Sequence, residues 1–200
     1  MNDRATASRS RAQLYFFAIA FLGVITASDG LAQEKTSAAI PTVGDKVPDF
    51  ALEDLDGKEI LLSKLNADSS VVLVVLRGYP GYQCPICSVQ VGGLIGKAKD
   101  FDLANAKVLL VYPGPAESLN ARAAEFIKGK KLPENFLFVT DPDYKFTQAY
   151  GLRWDAARET AYPSTFVIDR KGTVRFQKTS KSHGDRAKPA DVLEALNDKN

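Results

Sequence analysis

Cys84 and Cys87 are the only thiols in a chain of 200 residues, and two residues separate them in the stretch RGYPGYQCPICSVQ, Arg77 to Gln90. Three chemistries fit such a pair: a local disulfide that staples the fold, a metal clamp, or a working dithiol. A staple across so short a loop removes little chain entropy, about 2 kcal/mol in the loop-closure picture, and more distant cysteines would do better. A structural zinc site asks for four ligands, and beyond these two thiols the chain has one imidazole, His183. A dithiol asks for one sulfur with a lowered pKa and a second within reach of it. Pro85 directly follows Cys84, and proline suits a first helical turn, where its missing N–H has no partner to lose. The spacing therefore predicts a helix starting at Cys84. Its unpaired N–H groups and positive dipole end favour a thiolate at that position. Cys87 then lies one turn inside as the more covered, resolving thiol.

The elements that must hold this pair follow from the hydrophobic pattern. Val71 to Leu76 (VVLVVL) is a continuous β-branched and aliphatic run, as a strand buried on both faces requires. VPDFALEDLDGKEILLSKL places apolar stretches around Asp56-Gly57 and predicts an N-terminal hairpin. Further strands are predicted over 107–112, 136–139, 165–168 and 173–177. Leu119, Ala123, Phe126 and Ile127 mark one face of an amphipathic helix, and shorter helices are predicted over 144–150 and 189–196. Gly92, Gly93 and Gly96 each cost roughly 1 kcal/mol in a helix interior, so the helix after Cys84 is expected to kink or break early. Strands alternating with helices, then a hairpin and a last helix, give an α/β fold with a central mixed β-sheet flanked by helices. The thiols sit at the carboxyl end of the first long strand, where open α/β sheets place their sites.

Composition narrows the function classes. With 45% hydrophobic residues, 25% charged and a net charge of +2, the chain suits a soluble globular domain with no electrostatic footprint for nucleic acid. Residues 1–32 pair a basic start with the apolar run LYFFAIAFLGVITA and end in small residues, Gly30 and Ala32, before Gln33. That is the pattern of a cleavable export signal, or else of an uncleaved N-terminal anchor facing outside. A cut there removes three arginines and two aspartates and leaves a net charge of +1. Residues 33–42 read as a linker and 43–200 as the folded domain. An exported, periplasmic or secreted protein meets oxidising conditions in which disulfides persist. No organic cofactor is expected, because the chain has neither a Rossmann glycine fingerprint nor a phosphate loop.

Three segments, VGDKVPDFALEDLDGK, VLRGYPGYQCPIC and YPSTFVIDRKGTVRF, occur in an order that resembles the thioredoxin-like superfamily. The particular resemblance is to its alkyl hydroperoxide reductase/thiol-specific antioxidant branch, related to peroxiredoxins. It implies a thioredoxin-like fold with an N-terminal hairpin extension. Peroxiredoxins carry P-x-x-x-(T/S)-x-x-C, and Pro80 to Cys87 fits that frame with Cys84 where the hydroxyl residue stands. In that frame Cys87 is the peroxidatic sulfur. The arginine that such proteins place just before the STFVID-like strand is replaced by Pro163, where thioredoxins have a cis-proline. Both departures lean toward thioredoxin-type exchange. In that reading Cys84 attacks a substrate disulfide, Cys87 resolves it, and Tyr162, Pro163, Tyr82 and Trp154 line the groove. Arg77, Arg153 and Arg186 could instead supply a peroxide-stabilising guanidinium, which keeps a thiol peroxidase as the alternative. A Sco-like copper chaperone is a further alternative, since that group joins two cysteines to a distant histidine and His183 is available. The partners implied are redox proteins that recharge the pair, and hydroperoxides in the peroxidase reading. Tyr79 and Tyr82 could line the mouth of the site or simply pack at a strand end. Asp141-Pro142-Asp143 reads as a turn rather than a calcium site.

Overall fold

The computed structural model describes residues 38–198. The leader expected over 1–32 and the start of the linker lie outside the described residues. In chain order the elements are β1 (Ala51–Asp54), β2 (Glu59–Leu61), α1 (Leu62–Asn66), β3 (Ser70–Val75), α2 (Pro85–Ile95), α3 (Ala98–Leu103) and β4 (Ala106–Gly114). They continue as α4 (Ala116–Ile127), β5 (Phe136–Pro142), α5 (Lys145–Ala149), β6 (Ser164–Ile168), β7 (Val174–Thr179) and α6 (Pro189–Asn197). The strands form one seven-stranded mixed sheet, β2-β1-β5-β4-β3-β6-β7. β3, β4 and β5 are mutually parallel, while β6, β7 and the β1–β2 hairpin run antiparallel to their neighbours.

β3 is central because its side chains can be buried on both faces. Val72 and Val74, with Leu76 beyond them, join a cluster with Val91 and Leu94 of α2, Phe126 of α4 and Val192 of α6. Val71, Leu73 and Val75 face the opposite way and pack with Leu62, Leu65, Phe146 and Tyr150. Both thiols belong to the first cluster. Ile40, which composition assigns to the linker, packs against the second.

Two features place the thiols beyond the end of β3. The first is Gly78, whose φ of +73° and close approach leave no room for a side chain; a Cβ there would lie 2.0 Å from the Pro113 carbonyl oxygen. The turn after β3 is thereby pressed against the end of β4. The second is the start of α2. Cys84 is its N-cap in extended conformation, Pro85 opens the first turn, and Cys84 Sγ accepts the Cys87 N–H at 3.3 Å. A serine, threonine, asparagine or aspartate oxygen usually performs this capping.

The expected kink at the glycines is not formed. α2 runs unbroken through Gly92 and Gly93 and stops at Gly96, whose N–H still reaches the Gly92 carbonyl. Tertiary packing outweighs the propensity cost here, because a Cβ on Gly93 would already touch Pro189 at 3.6 Å at the start of α6. The acidic DPD turn does capping work. Asp141 accepts the N–H groups of Phe146 (2.8 Å) and Thr147 (3.0 Å) in α5, and Asp143 accepts that of Ala116 (2.9 Å) at the start of α4.

Candidate active site

Cys84 and Cys87 are unbridged thiols, 2% and 1% exposed. Each sulfur has its own set of donors. Cys84 Sγ takes the Cys87 N–H of the first helical turn. Cys87 Sγ takes the Arg77 N–H at 3.4 Å and faces Arg186 Nη2 at 3.8 Å. The Cys84 thiol pKa is lowered to about 5 by the hydrogen bond from the Cys87 thiol, with burial opposing. The Cys87 N–H and the charges of Arg186 and Arg77 add to the lowering. The Cys87 pKa moves the other way, raised first by its hydrogen bond to Cys84 and then by burial. At neutral pH the pair therefore holds one negative charge and one shared proton, which rests on Cys87. Arg186 and the Arg77 N–H nevertheless aim at Cys87, so a proton transfer to Cys84 would leave the charge where the donors already converge.

The three arginines separate in role. Arg77 is buried, and each guanidinium nitrogen has a partner: Nε on Glu159 Oε2 (2.8 Å), Nη1 on the Tyr82 hydroxyl (2.6 Å) and Nη2 on the Arg158 carbonyl (2.9 Å). It offers the site its backbone N–H and its field. Arg153 does not point its charge at the thiols. Its Nη1 holds the carbonyls of Trp154 and Thr160, and the guanidinium lies 4.1 Å from the Tyr144 ring centroid. Of the three, Arg186 alone turns its guanidinium to a sulfur; its Nε donates to the His183 carbonyl at 3.0 Å, and its Nη1 is buried without a partner.

Two of the residues expected to line a groove, Trp154 and Tyr162, belong to one aromatic cluster. Trp154 stacks on Tyr162, with centroids 4.7 Å apart and planes at 12°, and the His183 ring lies 5.6 Å from Trp154. Pro163 is buried, and no peptide bond among the described residues is cis. The expected cis Tyr162–Pro163 bond is thus corrected to trans, the intrinsically preferred isomer. The trans backbone lets Tyr162 N–H reach the Leu152 carbonyl and the Pro163 carbonyl accept from Ser180. Tyr82 is half-exposed above Arg77, while Tyr79 lies under the Arg122 guanidinium at 4.3 Å. His183, weighed as a solvated residue or a copper ligand, gives its Nε2 to Glu159 Oε1 at 2.9 Å. Among the described residues no group of three histidine, cysteine or carboxylate side chains gathers as a metal site.

Sequence reasoning did not find Glu159, Gln83 or Tyr112. Tyr112 donates to Gln83 Oε1 at 2.8 Å, and Gln83 in turn holds the Arg122 carbonyl on α4. Tyr112 is visible only as a strand residue, and Glu159 lies in a polar loop with no periodicity. A cavity of about 520 Å³ among Phe50, Leu52, Leu119, Thr140 and Phe146 includes neither thiol nor their donors.

With this geometry in view, similarity to known proteins becomes informative. The family model described as AhpC/TSA family matches residues 43–177. The chain belongs to the AhpC/TSA family. Chloroplastic peroxiredoxin Q of Triticum aestivum is 30% identical over 133 residues, covering 66% of this chain and 57% of the wheat protein, so the chain matches little more than half of that relative's length. Among solved structures, peroxidoxin BcpB from Mycobacterium tuberculosis superposes with a TM-score of 0.66 at 23% identity, over 80% of this chain and 99% of that one. Reduced Prx3 from Vibrio vulnificus, solved in complex with hydrogen peroxide, gives 0.62 at 24% identity, over 78% of this chain and 99% of that one. These likenesses establish the thioredoxin-like fold.

Proposed function

We propose that this chain is a thiol peroxidase that reduces small hydroperoxides at Cys87 and forms a Cys84–Cys87 disulfide. The observation that carries this reading is the convergence of the Arg77 N–H and Arg186 Nη2 on Cys87 Sγ. It restores the guanidinium that Pro163 displaces. Burial supports it too, since sulfurs this covered suit a small O–O substrate better than a folded partner's disulfide.

The steps balance within the pair. Cys87 passes its proton to the Cys84 thiolate, and Cys87 Sγ attacks the terminal oxygen of ROOH. The O–O bond breaks and RO⁻ leaves, taking the proton from Cys84 to become ROH, while Cys87 becomes a sulfenic acid. The Cys84 thiolate then attacks that sulfur and expels hydroxide, so that the thiolate and the thiol have become one disulfide and the one proton has left with ROH. Donors fixed near the breaking O–O bond stabilise the developing charge without reorganising. A protein dithiol would reopen the disulfide by exchange. Dithiol/disulfide exchange with Cys84 as nucleophile is the second reading, favoured by its pKa of about 5. An export leader in residues 1–32 would place either activity outside the cytoplasm, and the N-terminal sequence of the mature protein tests that.

Stopped-flow oxidation of the reduced protein by hydrogen peroxide, with Cys84→Ser and Cys87→Ser in parallel, separates the two readings. Fast peroxide reduction that survives in Cys84→Ser for one turnover and vanishes in Cys87→Ser is expected. Wild-type rates no better than a free thiol, beside rapid Cys84-dependent reduction of a protein disulfide, would replace peroxidase with exchange.

A further inference from the structure

Glu159 joins two segments that the thiol site needs and that lie far apart in the chain. Its Oε2 accepts from Arg77 Nε, 82 residues earlier, and its Oε1 pairs with His183 Nε2, 24 residues later. The carboxylate is 11% exposed, and a charge covered to that extent is stable only while both partners remain. The Arg77 side contributes the N–H on Cys87; the His183 side contributes, through its own carbonyl, the anchor for Arg186 Nε. Neighbouring backbone fixes Glu159 in turn. Arg158 holds a left-handed φ of +61° with its carbonyl on Arg77 Nη2, and Glu159 N–H donates to the Ala156 carbonyl. A non-glycine residue keeps that conformation only where its surroundings enforce it.

We propose that Glu159 and His183 form a positioning pair that holds Arg186 on Cys87, so that the guanidinium facing the sulfur is set from a loop outside the thiol motif. The proposal rests on the peroxidase reading for its kinetic consequence, though not for its effect on the thiols themselves. Among the described residues no carboxylate pairs with the Arg186 guanidinium, and its contacts are the His183 carbonyl and the Cys87 sulfur. Cutting the Glu159–His183 contact therefore frees the loop to carry Arg186 away from Cys87.

The test uses the full reduced protein with His183→Ala, His183→Gln, Glu159→Gln and the double variant Glu159→Gln/His183→Ala. Three quantities are read: the second-order rate with hydrogen peroxide, the pH of half-maximal alkylation by iodoacetamide, and the thermal midpoint. His183→Ala is expected to slow the peroxide reaction about tenfold and to raise the alkylation midpoint by about half a pH unit. The thermal midpoint should fall by no more than a few degrees, because Arg77 still pairs with Glu159. His183→Gln, whose amide can still donate to Glu159, should recover most of both changes. The double variant should be no slower than the slower single variant, as residues acting through one contact are non-additive. Unchanged kinetics and titration in His183→Ala would overturn the proposal, and so would multiplied losses in the double variant. A wild-type protein inert to peroxide would sink the peroxidase reading alone, since the alkylation midpoint reports Arg186 without any peroxide.

Discussion

Replacing Arg186 with methionine removes the charge and keeps most of the side-chain bulk, so it isolates what the guanidinium does. At 3.8 Å from Cys87 Sγ, a unit charge interacts with a thiolate by about 1 kcal/mol in bulk water and about 4 kcal/mol at an effective dielectric of about 20. Arg186 is partly exposed, which favours the lower part of that range, about 2 kcal/mol, or roughly 1.5 pKa units. The anion rests on Cys84, whose pKa of about 5 Arg186 also lowers, so the shift worked at Cys87 is an upper bound and the midpoint should rise to no more than roughly 6.5. At pH 7.5 the pair would still be about nine-tenths ionised. The peroxide reaction loses more, because a donor near the breaking O–O bond acts on charge that develops only in the transition state. Losing one such donor costs about 100-fold to 1,000-fold elsewhere, and about 100-fold is expected here.

The assay compares two electrophiles on one protein at pH 7.5: hydrogen peroxide by stopped flow and iodoacetamide by mass. Iodoacetamide needs only the thiolate and should slow less than twofold, while peroxide should slow about 100-fold. A fall by the same factor with both reagents would mean that Arg186 merely sets the thiolate population. A peroxide rate within threefold of wild type would refute its role altogether.

Two further outcomes follow from the same contacts. A Cys84 pKa lowered to about 5 means that alkylation of the reduced pair should rise about tenfold per unit below pH 5 and flatten above about pH 6.5. The sign follows from the lowered value, since the reactive anion is lost as pH falls through 5; a rate still climbing at pH 8 would refute it. Asp141→Ala removes both oxygens that cap α5 and strands two buried N–H groups, so urea denaturation should show a loss of about 2 kcal/mol, with the peroxide rate of the folded fraction at 25 °C unchanged.

Much of the fold was legible because it rests on local patterns. The VVLVV run could only be a strand covered on both sides, and Pro85 could only follow a helix start at Cys84. α1 and α3 were not legible: LSKLN and AKDFDL are too short for a helical period, and Phe101 is the one fully buried side chain that anchors α3. The cis-proline came from resemblance alone, and the backbone bonds of Tyr162 and Pro163 hold the trans form. The site was half legible. The thiols and Arg186 were in view as candidates, but choosing among three arginines required knowing that Arg77 is spent on Glu159 and Arg153 on carbonyls of its own loop. Contacts across 82 and 24 residues leave no period or spacing to read.

The two departures from the family signature have one physical explanation. A peroxide-reducing sulfur needs a capped helix start, a neighbouring proton carrier and a fixed positive donor, and each is defined by position in space. Cys84 caps α2 with Sγ in place of oxygen, and in the proposed peroxidase its thiolate takes up the Cys87 proton and then acts as the resolving sulfur. In the proposed peroxidase Cys84 would resolve in place, within the same helical turn, so no distant cysteine has to approach and the sulfurs can stay buried. Proline at the arginine position then costs the site nothing if a guanidinium arrives from another direction, and Arg186 approaches Cys87 from the loop before α6. Such a donor depends on its loop more than a strand-borne arginine would. The partly covered carboxylate of Glu159, shared between Arg77 and His183, meets that dependence.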